Sequence, residues 1–181
     1  MQVNPLSDVL GAEVIGIDVG NLDDETFDKV HEAFLEHHVL VFRDQDLPPE
    51  RQVDFAQQFG ELDVHIQKDN KHSGHEAIQI LSNKKVNGEY IGSPSAGDAW
   101  HSDLSYTDIP TLCTMLYAME IPEVGGDTEW SNMYRAYDAL SEDMKQKLDG
   151  LHARHTFNRF RNLRVEVPEI YKGMGKERYA D

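Results

Sequence analysis

Trp100-His101-Ser102-Asp103 is the stretch from which the rest of this 181-residue chain is read. In an extended segment the side chains at i and i+2 project to the same side, so the His101 imidazole and the Asp103 carboxylate can reach one ion together. That pair supplies two of the three ligands of the facial arrangement that holds non-haem Fe(II) and leaves coordination positions open. The third ligand, a second histidine, has to come from elsewhere. Alone, His-X-Asp is a weak signal, because a chain with nine histidines produces chance matches. Its setting strengthens it. A polar stretch from Asn83 to Gly97 precedes it and the most apolar run, Thr111 to Met119, follows, so the pair sits where a loop meets a rigid element. Beyond that run comes Gly125-Gly126-Asp127-Thr128. Paired glycines allow a tight turn, and the Thr128 hydroxyl can donate to the carboxylate of a chelating cosubstrate.

Composition narrows the class. Hydrophobic residues make up 39% and charged residues 28%, as in a folded soluble domain with a sizeable core. The net charge of −16, from 33 acidic and 17 basic side chains, argues against a nucleic-acid partner, which needs clustered Lys and Arg. One cysteine, Cys113, cannot form an internal disulfide, and in its apolar run it reads as a buried inert thiol. Met1 to Gly20 has no basic-then-apolar leader pattern and no apolar run approaches a membrane span, so a cytoplasmic protein with no membrane partner is expected.

Along the chain, Val14 to Ile17 reads as a short strand. Asp23, Asp24 and Glu25 suit a helix start, and Phe27, Val30, His31, Phe34 and Leu35 form one apolar stripe after it. Val39 to Phe42 reads as a buried strand. Pro48-Pro49-Glu50 opens a second helix with Val53, Ala56 and Phe59 inward, and Gly60 ends it. Ala77 to Leu81 reads as a strand and Asn83 to Gly97 as a loop. Thr111 to Met119, apolar on both parities, predicts a central strand covered on both faces. Ser141 is placed to cap a helix over Glu142 to Leu148, with Gly150 as its stop. The sum is an α+β fold with a β-rich core. From His152 to Asp181 basic residues outnumber acidic ones, which predicts either a solvated tail or a mobile, lid-like segment that draws in an anionic substrate.

Six segments in order carry a resemblance: Gly11-Ala12-Glu13-Val14, Val39 to Gln45, Phe59-Gly60-Glu61-Leu62, Trp100 to Asp103, Gly125 to Thr128, and Tyr137 to Ser141. Together they resemble the Fe(II)/2-oxoglutarate-dependent dioxygenases of the taurine dioxygenase and 2,4-dichlorophenoxyacetate dioxygenase group (TauD/TfdA). The resemblance implies a single domain over residues 1–181 with a double-stranded β-helix, or jelly-roll, core and flanking helices. It implies His101 and Asp103 as iron ligands and Thr128 as a contact of the 2-oxoglutarate carboxylate, with O2 as second cosubstrate. It matches His65 to a substrate-pocket histidine, although an ordinary loop histidine is an equal reading. Lys68 stands where the taurine enzyme has tyrosine, and Arg161 roughly where it has phenylalanine. These departures argue against taurine itself and leave an anionic substrate in view. Asp103 also argues against the related halogenases, in which a small residue replaces the carboxylate.

In that family the second histidine ligand and the arginine that grips 2-oxoglutarate lie beyond the position of residue 181. His152 and His155, the only histidines after Asp103, match an interior segment that is not a metal site. The fold is therefore expected to be incomplete at its C-terminus, and the 181 residues alone to be inactive. The expected function is hydroxylation of a small anionic substrate (a sulfonate, an aryloxyalkanoate or another carboxylate) with release of succinate and CO2. The alternative is a truncated, non-catalytic binding or interaction remnant. A Zn(II) hydrolase at His-X-Asp is a weaker reading, and no Gly-X-Ser-X-Gly elbow supports a serine hydrolase. The expected partner is a small molecule, with a homo-oligomer left open.

Overall fold

The alternation of Ala12-Glu13-Val14-Ile15 builds the first sheet. Ala12 and Val14 turn inward and are buried, while Ile15 faces out. This strand, β2 (Ala12–Ile15), pairs antiparallel with β1 (Gln2–Pro5), placing Val3 opposite Val14. It pairs parallel with β3 (Leu40–Val41), placing Ala12 opposite Leu40. A parallel neighbour demands a crossover, and helix α1 (Asp24–His37) provides it. Asp23 caps α1 by accepting from the Thr26 amide at 2.8 Å, with Asp24 and Glu25 complementing the helix dipole behind it. His38 ends the helix in the left-handed conformation at φ 65°, its N–H donating to the Phe34 carbonyl. Glu13 and Arg43 are ion-paired at 2.6 Å.

The computed structural model describes residues 1–64, 70–94, 96–97 and 99–155. His65, Lys68, Arg161 and all of the basic tail beyond residue 155 lie outside them. The chain forms two compact units. The first comprises Met1–Gly60 and Met115–His152; the second comprises Glu61–Thr114 with the chain from Ala153 onward.

Burial in the first unit centres on Val19, Val30, Leu47 and Phe55. Helix α2 (Pro49–Gln57) carries Phe55 into that core, 2% exposed; of the expected inward residues Val53, Ala56 and Phe59, Phe59 packs against the core and the other two are only half-buried. Phe55 meets Phe42 and Phe59 edge-on at 5.9 and 5.5 Å, and Phe59 meets Phe27 at 4.9 Å. The quadrupoles of four rings favour these edge-to-face contacts. They turn the helix so that the ring at 55, not the smaller side chains beside it, fills the centre.

Helix α3 (Met133–Asp138) is capped by Asn132, whose side chain also donates to the Val9 carbonyl at 2.8 Å. Helix α4 (Glu142–Leu148) starts at the expected Ser141 cap, and Gly150 follows it at φ 73°. In the second unit β4 (Lys71–His72) pairs with β5 (His75–Gln79), and β6 (Lys85–Val86) with β7 (Glu89–Tyr90). The last hairpin corrects the expectation of a loop over Asn83 to Gly97. Asn87 and Gly88 take φ 53° and 90°, the two left-handed positions of the tight turn that suits strand twist.

The run Thr111 to Met119 also departs from expectation. Among the described residues it pairs with no strand. Met115 and Tyr117 pack on the core, whereas Leu112 and Leu116 are 60% and 58% exposed. Only the odd positions have a layer to pack against, and a strand buried on both faces needs two. Sheets and helices together give the α+β class. The described strands form sheets of three, two and two strands, each smaller than a jelly roll. Among the described residues no helix is long and apolar enough to cross a membrane.

Candidate metal centre

The second unit brings His101 and Asp103 together. His101 Nε2 lies 3.0 Å from Asp103 Oδ1, both side chains half-exposed. The i, i+2 spacing thus places the two groups on one side. The chain reverses immediately afterwards. Leu104 sits at φ 49°, unusual for a residue with a side chain. Its carbonyl accepts from both the amide and the hydroxyl of Thr107, at 3.0 and 2.7 Å.

Mutual attraction holds the pair only weakly. An exposed ion pair contributes about 0–1 kcal/mol. Each group instead has its own outer partner. His101 Nδ1 lies 2.7 Å from the Ala99 carbonyl, which can only accept, so the ring donates there and presents Nε2 toward Asp103. The Thr114 hydroxyl donates to Asp103 Oδ2 at 2.6 Å, which leaves Oδ1 toward His101. A carbonyl behind the imidazole and a donor behind the carboxylate are the outer contacts that orient metal ligands.

The donor separation fits a metal. Two ligands at right angles, each about 2.1 Å from an ion, stand about 3.0 Å apart. A neutral Nε2 and a carboxylate oxygen are both acceptors, so a contact this short calls for a cation or a proton between them. Among the described residues no group of three or more His, Cys, Asp or Glu is placed to hold an ion.

Thr128 belongs to the first unit and is exposed, after the Gly125-Gly126 turn in which both glycines take positive φ (79° and 74°). His155 Nδ1 contacts the Ser105 hydroxyl at 3.0 Å, and His152 is exposed. The Cys113 thiol is half-buried and pushed up from its ordinary value by that burial, as suits an inert side chain. Two members of the site escaped the sequence. The Ala99 carbonyl leaves no signal in residue type. Thr114 leaves a faint one, as a hydroxyl amid apolar neighbours from Leu112 to Leu116.

The chain as a whole is similar to known proteins. The family model described as taurine catabolism dioxygenase TauD, TfdA family matches residues 2–179. The chain is 32% identical over 156 residues to an (S)-phenoxypropionate/alpha-ketoglutarate-dioxygenase of Sphingobium herbicidovorans, covering 86% of this chain and 53% of that protein. It is 34% identical over 164 residues to an alpha-ketoglutarate-dependent 2,4-dichlorophenoxyacetate dioxygenase of Cupriavidus pinatubonensis, covering 84% and 57%. A crystal structure of a taurine dioxygenase from Burkholderia xenovorans superposes with a TM-score of 0.64 at 31% identity, covering 82% of this chain and 51% of that one. The chain therefore spans about half the length of the relatives it matches. A match over nearly every residue, with relatives above 30% identity and a shared fold, places this chain in the TauD, TfdA dioxygenase family.

Proposed function

We propose that this chain supplies the metal-binding part of an Fe(II)- and 2-oxoglutarate-dependent dioxygenase that hydroxylates a small anionic substrate. The class is an aryloxyalkanoate, a sulfonate or another carboxylate, and succinate and CO2 are released. The observation that carries the reading is the 3.0 Å convergence of His101 Nε2 and Asp103 Oδ1, with outer contacts that aim each of them.

His101 and Asp103 would hold the iron, which when bound supplies the redox chemistry that couples O2 and 2-oxoglutarate to oxidation of a C–H bond. The chain's own residues do the remaining work. Ala99 fixes the imidazole tautomer and Thr114 fixes which carboxylate oxygen is offered. Thr128 donates its hydroxyl to a carboxylate oxygen of 2-oxoglutarate. Lys68 and Arg161 are the proposed contacts of the anionic end of the substrate and His65 a proposed contact of the rest of it. Both units belong to one jelly-roll domain in a cytoplasmic enzyme.

The test is succinate formation by the protein expressed from its complete reading frame. It is supplied with Fe(II), ascorbate and 2-oxoglutarate across a panel of aryloxyalkanoates, sulfonates and small carboxylates. Succinate matching substrate loss is expected for one class. Succinate at the level of His101→Ala across the whole panel would overturn the catalytic reading in favour of a binding module.

A further inference from the structure

Asp103 has two oxygens and the structure gives them different partners. Oδ2 accepts from the Thr114 hydroxyl at 2.6 Å, and Oδ1 faces His101 Nε2 at 3.0 Å. A hydroxyl donating to a charged oxygen at that distance is among the stronger hydrogen bonds. It ties down the oxygen turned away from His101. An aspartate free at both oxygens can grip a metal with either one or both, and gripping with both uses up a further coordination position.

We propose that Thr114 is a positioning residue that keeps Asp103 a one-oxygen ligand and so preserves an open coordination position for a small-molecule ligand. The inference rests on the metal reading of His101 and Asp103. The cause is local and specific. Thr114 is eleven residues from Asp103, on the run that leaves the site, and its hydroxyl donates to Asp103. His101 is aimed independently, through Ala99, so losing the Thr114 hydroxyl leaves the imidazole in place. Thr114 is exposed, and valine keeps its branching at Cβ, so the exchange removes the donor at the surface rather than in a packed core.

The experiment uses Mn(II) as probe and water-proton relaxation as readout, because relaxation per bound ion scales with the number of waters on it. The protein from the complete reading frame is compared with Thr114→Val, Thr114→Ser and His101→Ala, with free Mn(II) measured in each. Thr114→Val is expected to lose the contribution of about one coordinated water per bound ion, while Thr114→Ser, which restores the hydroxyl, stays at the wild-type value. Equal relaxation per bound ion in wild type and Thr114→Val would overturn the proposal while the metal site stands. Unchanged Mn(II) binding in His101→Ala would instead overturn the metal reading, and the proposal with it.

Discussion

Replacing Tyr117 with phenylalanine removes one oxygen from the first unit and keeps the ring that packs on its core. The hydroxyl donates to the Gln45 carbonyl at 3.1 Å and accepts from the Leu47 amide at 3.3 Å. It thus bridges two points of the loop between β3 and α2. Gln45 holds that loop from the other side, its side chain accepting from the Val19 amide at 2.9 Å and donating to the Arg43 carbonyl at 2.8 Å. Without the hydroxyl a buried leucine keeps an unpaired N–H and Gln45 an unpaired carbonyl. An unsatisfied buried group costs about 1–3 kcal/mol. Both bonds are long and only partly shielded from water, which puts the pair together at about 1–2 kcal/mol. For a chain of this length that lowers Tm by about 2–8 °C. Thermal melts and urea titrations of wild type and Tyr117→Phe measure it, with an unchanged urea slope showing that the same surface is exposed on unfolding. An unchanged Tm would show that the ring alone anchors the segment, and the bridging argument would fail.

In the protein from the complete reading frame, His101→Ala should abolish Fe(II)-dependent succinate formation with Tm preserved, since the side chain is half-exposed; wild-type turnover would remove it as a ligand. Thr128→Ala should raise the 2-oxoglutarate concentration for half-maximal rate about tenfold, the effect of one hydrogen bond to a charged group, and an unchanged requirement would take Thr128 out of the cosubstrate site. Hydrogen bonds from Thr26 hold the Asp23 carboxyl below its ordinary value of 3.8. A group depressed in the folded state adds stability above its unfolded pKa and loses it as the pH falls through the folded value. Asn caps a helix without titrating, so the stability of wild type relative to Asp23→Asn should be constant at neutral pH and decline in acid below that range. A difference independent of pH would mean that the Asp23 charge contributes nothing.

Features written in neighbouring residues were legible. The start of α1 follows from the acids at 23–25 and its stripe from apolar spacing. The limits of α4 follow from Ser141 and Gly150, because caps and turns are decided within four residues. Asn87-Gly88 carried an equally local hairpin signal that its polar surroundings concealed. His101 and Asp103 were legible for the same reason, since two positions of separation fix which side each faces. The inward face of α2 was not. Whether Phe55 or Val53 fills the core depends on Phe42 and, through Phe59, on Phe27, which come from other parts of the chain. The run from Thr111 to Met119 shows the same limit, because its apolar composition states what it could bury and not which layers meet it.

By itself, then, the sequence determined the two donors, their common side and the order of segments that marks the family. Tertiary structure alone decided how those donors are aimed. The Thr114 hydroxyl reaches Asp103 across eleven residues of chain, and no periodicity encodes an approach of that kind. Backbone spacing sets the direction of a side chain, whereas the atom at its end is oriented by whatever the fold places next to it.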